Sequence, residues 1–531
     1  MQHITEKQRL RSAGIILHPT SLPSEFGIGD LGPSLYKFLD FTAKADLTLW
    51  QVLPLSPADT VGCPYVSWSS ISGNTLLIDP INLKDLGLIE QSDLEHEEFD
   101  HAKVDFEIVQ AYKIPLLKKA ASSLMEKANK DLFDEFQTFK KENEELFNHC
   151  LYSVIKDQNE QKPWWQWSQE LKRPIKIVIN ELKNKYAQEI DIYLAMQFLF
   201  FRQWNFVKKA CEDKSISIIG DIPIYVSRDS ADAWLNQNIF KIDEEGNPSH
   251  VSGVPPDAYA KKGQLWNTPV YDWEKLKKTN YDWWIRRITG LLKICHIVRI
   301  DHFRAFSAYW EIPAVQEDAR LGKWVEGPGK HFFEAMKKHF GFLPFIVEDL
   351  GEIDLKTDEL RTSCNLPGSK VLQFAFGGGS WNPHLPHNYD KRSVAYTSTH
   401  DSETMKQYWS NAPEHAKEEA STYLHSNDGN FVWRAIDAVF ASVSDFAIIP
   451  LQDFLVLGAE ARMNIPGTVS KDNWSWRMRK EDMSDDLAIS IKRKINLYGR
   501  NPKIKKDDPF CPDVTSEDWN KKHEKLLKEI G

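Results

Sequence analysis

Ile297-Val298-Arg299-Ile300-Asp301-His302-Phe303-Arg304 reads as a short buried strand that carries charge on one face only. Side chains alternate along a strand, so Arg299 and Asp301 share one face while Val298 and Ile300 share the other. If the aliphatic pair packs outward against helices, Arg299 and Asp301 point into a closed sheet near its carboxyl mouth. Seven more short apolar segments accompany this one, at 13–18, 49–55, 216–226, 345–350, 371–376, 393–399 and 447–455, with the stretch above counted as 297–302. Segments of helical period lie between most of them, among them 193–211, 283–295, 331–340 and 431–442. Strand alternating with helix predicts an α/β fold, a (β/α)8 TIM barrel spanning 1–531 as one catalytic domain. An open doubly wound sheet shares the same local pattern.

Two connections are too long for simple loops. The stretch 56–190 follows the second strand, and its charged middle, 84–156, predicts a mainly helical insertion with a solvated face. The stretch 228–281 follows the third strand and is rich in Gly, Pro and Trp. Both leave from carboxyl ends of strands, where barrel active sites are built, and so predict inserted subdomains walling a cleft. The C-terminal tail, 501–531, has no readable role.

The chain has 531 residues, 42% hydrophobic and 27% charged, as ordinary globular chains do. Its net charge of −10 argues against nucleic-acid binding through phosphate neutralisation. No apolar run is long enough to span a bilayer, and the polar stretch 1–11 has no signal-peptide core, so a cytoplasmic protein without a membrane partner is expected. Six scattered cysteines form no CxxC pair and predict reduced thiols rather than structural zinc. With 19 Trp, 16 Tyr and 28 Phe, aromatic faces are available to stack on sugar rings, although most such side chains fill cores.

Acidic residues stand at several strand ends. Arg299 beside Asp301 favours the ionised carboxylate a nucleophile needs, although a buried ion pair closing the barrel would look the same. Glu348 ends the apolar run Phe345-Ile346-Val347; partial desolvation there raises a carboxyl pKa and suits a general acid. Asp401 follows Thr399-His400, and Asp221 lies in Gly220-Asp221-Ile222-Pro223. A single such carboxylate could be a helix cap; several at one end of a barrel converge on one pocket. Without a metal motif, that set suits glycosidic-bond chemistry, with about 5–5.5 Å between two carboxyls for retention and about 6.5–9.5 Å for inversion.

At these residues the chain resembles the 4-α-glucanotransferases of the amylomaltase (disproportionating enzyme) type, glycoside hydrolase family 77. The resemblance runs from Ala13 to Arg500 through GIILHPTSLPSEFGIGDLG, WQVLPLSPA, GNTLLI, GDIPIYV, GVPPDAY, GQLW, RIDHFRAF, EDLG, FAF, LPHNY, STHD and RMNIPGT, in that order. It implies a barrel with inserted subdomains and no separate C-terminal β-sandwich domain. It further implies transfer of an α-1,4-glucan segment to the 4-hydroxyl of a glucose or maltooligosaccharide acceptor, by a retaining double displacement with no metal or organic cofactor. Asp301 would be the nucleophile, Glu348 the general acid/base, and Asp401 the clasp on the donor sugar's hydroxyls. Arg299, His400, Asp221 and Asn464 would line the same subsite, and Tyr65 would stack on the donor sugar. Asp257, Gln264 and Trp266 would sit on a loop arching over the cleft.

The loop's Gly, Pro and aromatic content suits a lid that keeps water from a covalent intermediate, although an ordinary surface loop has similar content. The nearest alternative is an α-1,4-glucan hydrolase of the α-amylase clan with the same carboxylates; a non-catalytic glucan-binding barrel would be expected to lack one of them. Three positions depart from the family pattern. Asn267-Thr268 replace a Gly-Asn pair, Gly377-Gly378-Gly379-Ser380 stand where an acidic residue is common, and Cys63 replaces a serine. Oligomeric state and preferred chain length have no sequence signal.

Overall fold

A computed structural model describes residues 11–127, 129–256 and 260–502. Eight parallel strands form one sheet: β1 (Ser12–Ile16), β2 (Leu49–Gln51), β3 (Ser217–Ile222), β4 (Ile297–Ile300), β5 (Phe345–Val347), β6 (Gly368–Val371), β7 (Ser393–Tyr396) and β8 (Phe446–Pro450). Their order in the sheet is β6-β7-β8-β1-β2-β3-β4-β5, the cyclic order of a (β/α)8 barrel. Inside, Ile16, Leu49, Ile219, Ile297, Ile346, Val371, Val394, Tyr396 and Ile448 form a separate buried cluster, with every strand contributing. Val298 and Ile300 are buried in the larger cluster outside the barrel, so the alternation along β4 turns Arg299 inward.

Closure needs close approach between strands. Gly14 of β1 has no room for a side chain, because a Cβ there would stand 2.7 Å from the Leu49 Cβ and 2.9 Å from its carbonyl oxygen. The β5–β6 seam is looser. Among the described residues no ladder joins these strands; Val347 donates its N–H to the Pro367 carbonyl at 2.9 Å, and Ser369 Oγ donates to the Val347 carbonyl at 3.0 Å.

The strands depart from expectation at their ends. β3 stops at Ile222 rather than 226, because Pro223 has no N–H to donate to a ladder. The sixth strand is Gly368–Val371, not 371–376. Its Gly-Ser-Lys content hides a buried strand, while the apolar run after it curls into a 3-10 turn, Leu372–Phe374. Pro386–Asn388, another 3-10 turn, completes that connection, so the link from β6 to β7 has no α-helix.

The stretch 56–190 contains the helices Phe106–Met125, Lys130–Glu142 and Leu146–Gln158, packed on the long helix Ala187–Asp213 that leads into β3. After β3 come the strands His250–Val254 and Gln264–Pro269. They join Ala308–Pro313 and Lys323–Glu326, from the connection after β4, in a four-stranded antiparallel sheet around Val251, Ile312 and Ala319. The sequence gives no sign that the second hairpin belongs to this sheet. The tail from 503 onward lies outside the described residues.

Candidate active site

The register of β3 against β4 sets Asp221 opposite Arg299, both facing the barrel interior. Arg299 Nη1 donates to Asp221 Oδ2 at 2.7 Å and to Asp301 Oδ1 at 2.9 Å. The Asp221 side chain is fully buried and that of Asp301 is 25% exposed, so the bridged pair presents only Asp301 to the mouth. Burial opposes the Arg299 charge, but the two carboxylates outweigh it and hold the guanidinium protonated.

Glu348 stands one residue beyond β5. Its N–H donates to the Ile300 carbonyl at 2.9 Å, extending the β4–β5 ladder, and its carbonyl accepts from the Phe303 N–H at 2.9 Å. The carboxyl is held at both oxygens: Oε2 accepts the His302 N–H at 2.7 Å and Oε1 accepts the Leu350 N–H at 3.1 Å. The amide that grips it thus belongs to the residue after Asp301. His302 makes this possible with a left-handed backbone, φ 52°, an uncommon conformation for a residue of its size. Burial, and then the neighbouring Asp301 charge, lift the Glu348 carboxyl from 4.5 to about 8.

On the other side, Tyr65 Oη donates to Asp221 Oδ2 at 2.8 Å. With its proton committed there, the hydroxyl oxygen accepts from His400 Nε2 at 2.7 Å. His400 Nε2 also lies 3.2 Å from Asp401 Oδ2, and Asn464 Nδ2 donates to Asp401 Oδ1 at 2.7 Å. Burial would raise the Asp401 carboxyl, but His400 and Asn464 outweigh it and hold it well below the usual range. Burial lowers the His400 imidazole and Asp401 more than restores it, so its net shift is upward. The turn carrying both is anchored by buried Asp453, which accepts from Thr397 and Ser398 hydroxyls at 2.6 Å and from the Met405 N–H at 2.8 Å.

One network therefore unites Tyr65, Asp221, Arg299, Asp301, His400, Asp401 and Asn464, and backbone amides join Glu348 to it. The Tyr65 and His400 rings lie nearly parallel with centroids 5.6 Å apart, joined at their edges by the hydroxyl–imidazole hydrogen bond. Trp266 meets His302 edge-on at 4.8 Å, and its indole N–H donates to Gln264 at 3.1 Å. Asp257 lies outside the described residues. Asn267 occupies a left-handed conformation, φ 58°, which asparagine tolerates. Burial pushes the Cys63 thiol up to about 12, and Asp401 is among its charged neighbours.

His302 and Asp453 escaped the sequence-based candidates. His302 stands in RIDHFR, but what matters is its backbone conformation; Asp453 sits within an apolar run with no motif. Buried His18 is a third, facing His400, and burial followed by the His400 charge lowers its imidazole to about 3. Among the described residues, no group of three or more His, Cys, Asp or Glu is arranged to hold a metal ion, and no helix is long and apolar enough to cross a membrane.

A (β/α)8 barrel with a cation-paired carboxylate and a high-pKa carboxyl at its mouth holds the two kinds of carboxyl that glycosidic-bond chemistry requires. A family profile described as 4-alpha-glucanotransferase, glycoside hydrolase family 77, matches residues 17–483. The chain is 42% identical over 496 residues to the 4-alpha-glucanotransferase of Aquifex aeolicus, covering 92% of this chain and 100% of that protein. It is 40% identical over 491 residues to that of Thermus thermophilus, covering 91% and 97%. A solved amylomaltase from Streptococcus agalactiae, in complex with acarbose, is 34% identical with a TM-score of 0.88, covering 92% of this chain and 99% of that chain. The chain belongs to the 4-alpha-glucanotransferase family, glycoside hydrolase family 77, and its activity is transfer between α-1,4-glucans. The hydrolase alternative is not favoured.

Proposed function

We propose that Asp301 attacks the anomeric carbon of an α-1,4-glucan while Glu348 protonates the departing 4-oxygen. A glucosyl ester on Asp301 results, and the released sugar leaves. Glu348, now ionised, accepts the proton of an incoming 4-hydroxyl as that oxygen attacks the ester, which frees Asp301 and makes a new α-1,4 bond. Two inversions give net retention. The single observation that carries this division of labour is the His302 amide bond to Glu348: it couples a carboxyl lifted to about 8 to the turn bearing the Arg299-paired Asp301.

Asp401 and His400, with Asn464 and Asp221 behind them, bind the donor sugar's ring hydroxyls, and Tyr65 stacks on that sugar. Gln264 and Trp266 belong to the wall over the cleft, where exclusion of water favours sugar acceptors. Donors are α-1,4-glucans and acceptors glucose or maltooligosaccharides, and the acarbose held by the streptococcal amylomaltase supports an oligosaccharide-sized cleft. The protein works in the cytoplasm as one catalytic domain, with 56–190 and 228–281 inserted in it and 501–531 as a tail.

Incubation with maltotriose tests this. Glucose together with chains longer than three sugars is the expected result; only shorter products would mean hydrolysis, and unchanged maltotriose would mean binding without catalysis.

A further inference from the structure

Asp349 follows Glu348 just beyond β5, and its side chain lies at the β5–β6 seam, against Gly368 and Ser369. That seam lacks a ladder, yet Glu348 must hold its position beside it. The Asp349 side chain is only 9% exposed. Its Oδ1 accepts the Ser369 N–H of β6 at 2.5 Å, and its Oδ2 lies 3.1 Å from Arg361 Nε. Arg361 in turn reaches Asp358 at 2.6 Å and Asp390 at 3.4 Å. Room for this carboxylate exists because residue 368 is glycine: a Cβ there would stand 2.4 Å from Asp349 Oδ2. The side chain thus supplies the hydrogen bond that a continuous ladder would have provided, at the residue next to Glu348.

We propose that Asp349 is a positioning residue whose carboxylate latches β5 to β6 and so holds Glu348 where it can protonate the leaving oxygen. The proposal rests on Glu348 being the general acid. β5 is secured to β4 along one edge by its ladder; along the other it has Val347, Ser369 and this latch. Releasing the latch lets the 348–350 turn move, and a displacement of about 1 Å at a reacting group can cost about a hundredfold in rate.

The test compares two donors. Maltotriose has a poor leaving group and needs the acid, whereas the fluoride of α-maltotriosyl fluoride departs with little protonation. Asp349→Ala is expected to lower kcat on maltotriose by about tenfold or more with KM changed by less than about threefold, and to leave the first-turnover release of fluoride, which precedes the acceptor step, within about threefold. Asp349→Asn keeps an oxygen for the Ser369 N–H and should recover most of the maltotriose rate. Gly368→Ala displaces the carboxylate without removing it and should behave as Asp349→Ala does; it carries the test if that variant does not fold. A folded Asp349→Ala or Gly368→Ala enzyme with undiminished kcat on maltotriose, or with equal losses on both donors, would overturn the latch. Glu348→Gln, run in parallel, separates the two layers. If it shows the donor dependence and the latch variants do not, only the latch fails; if its first-turnover fluoride release falls as far as its maltotriose cleavage, the general-acid assignment fails first.

Discussion

If Glu348 gives a proton to the departing sugar, the rate must follow its protonation. Burial and then Asp301 lift the group from 4.5 to about 8. At pH 7 a carboxyl at about 8 is protonated in roughly nine molecules of ten, and one at 4.5 in roughly one of three hundred. The lift therefore raises the supply of competent enzyme at neutrality about 300-fold. The perturbation is pH itself, with kcat/KM for maltotriose followed from about pH 4 to about pH 10. A plateau through neutrality is expected, then a fall approaching about tenfold per pH unit above about 8. With α-maltotriosyl fluoride as donor, that alkaline fall should flatten or move upward, because the fluoride needs little protonation. A break near pH 5, or the same fall with both donors, would refute the assignment of the acid.

The same lift makes Glu348 a cost to stability. The folded state holds its proton longer than the unfolded chain does, so wild-type stability should decline between about pH 4.5 and about pH 8; calorimetry of Glu348→Gln should match wild type below that window and exceed it above by about 1–3 kcal/mol. Tyr65→Phe removes the hydroxyl between Asp221 and His400, and steady-state assays should show kcat/KM for maltotriose falling about 10–100-fold. Asn464→Ala strips Asp401 of a neutral donor and raises its carboxyl; since the donor site needs it ionised, the acid limb of kcat/KM should move to higher pH. Gly14→Ala forces a Cβ against Leu49, and denaturant titration should show a loss of about 1–3 kcal/mol.

Much of this molecule is readable from its sequence because barrel strands are buried on both faces and so appear as short apolar runs. β4 is the clearest case: two charges at even spacing inside such a run belong on the inner face, where Arg299 and Asp301 are found. β6 shows where that signal ends. Its Gly368-Ser369-Lys370-Val371 is buried by its neighbours rather than by its own hydrophobicity, and Gly368 is small because Asp349 must fit against it. Carboxylates at strand ends were legible as candidates, since strand ends converge. The groups that hold them were not: the His302 amide acts through a left-handed backbone, and Asp453 acts from 48 residues beyond the Met405 amide it anchors. The antiparallel sheet beside the mouth also lay beyond reach, because it joins hairpins from two different connections, and no local periodicity reports pairing at that distance.

The covalent step is the part of the account most open to direct measurement. Glu348→Gln, mixed with α-maltotriosyl fluoride and quenched, should accumulate a glycosyl ester, because the fluoride can leave while the residue that activates the acceptor is missing. Peptide mass spectrometry is expected to find the added sugar on Asp301. A sugar carried by any other residue, or turnover of the fluoride to a β-configured product with Asp301 never modified, would contradict it.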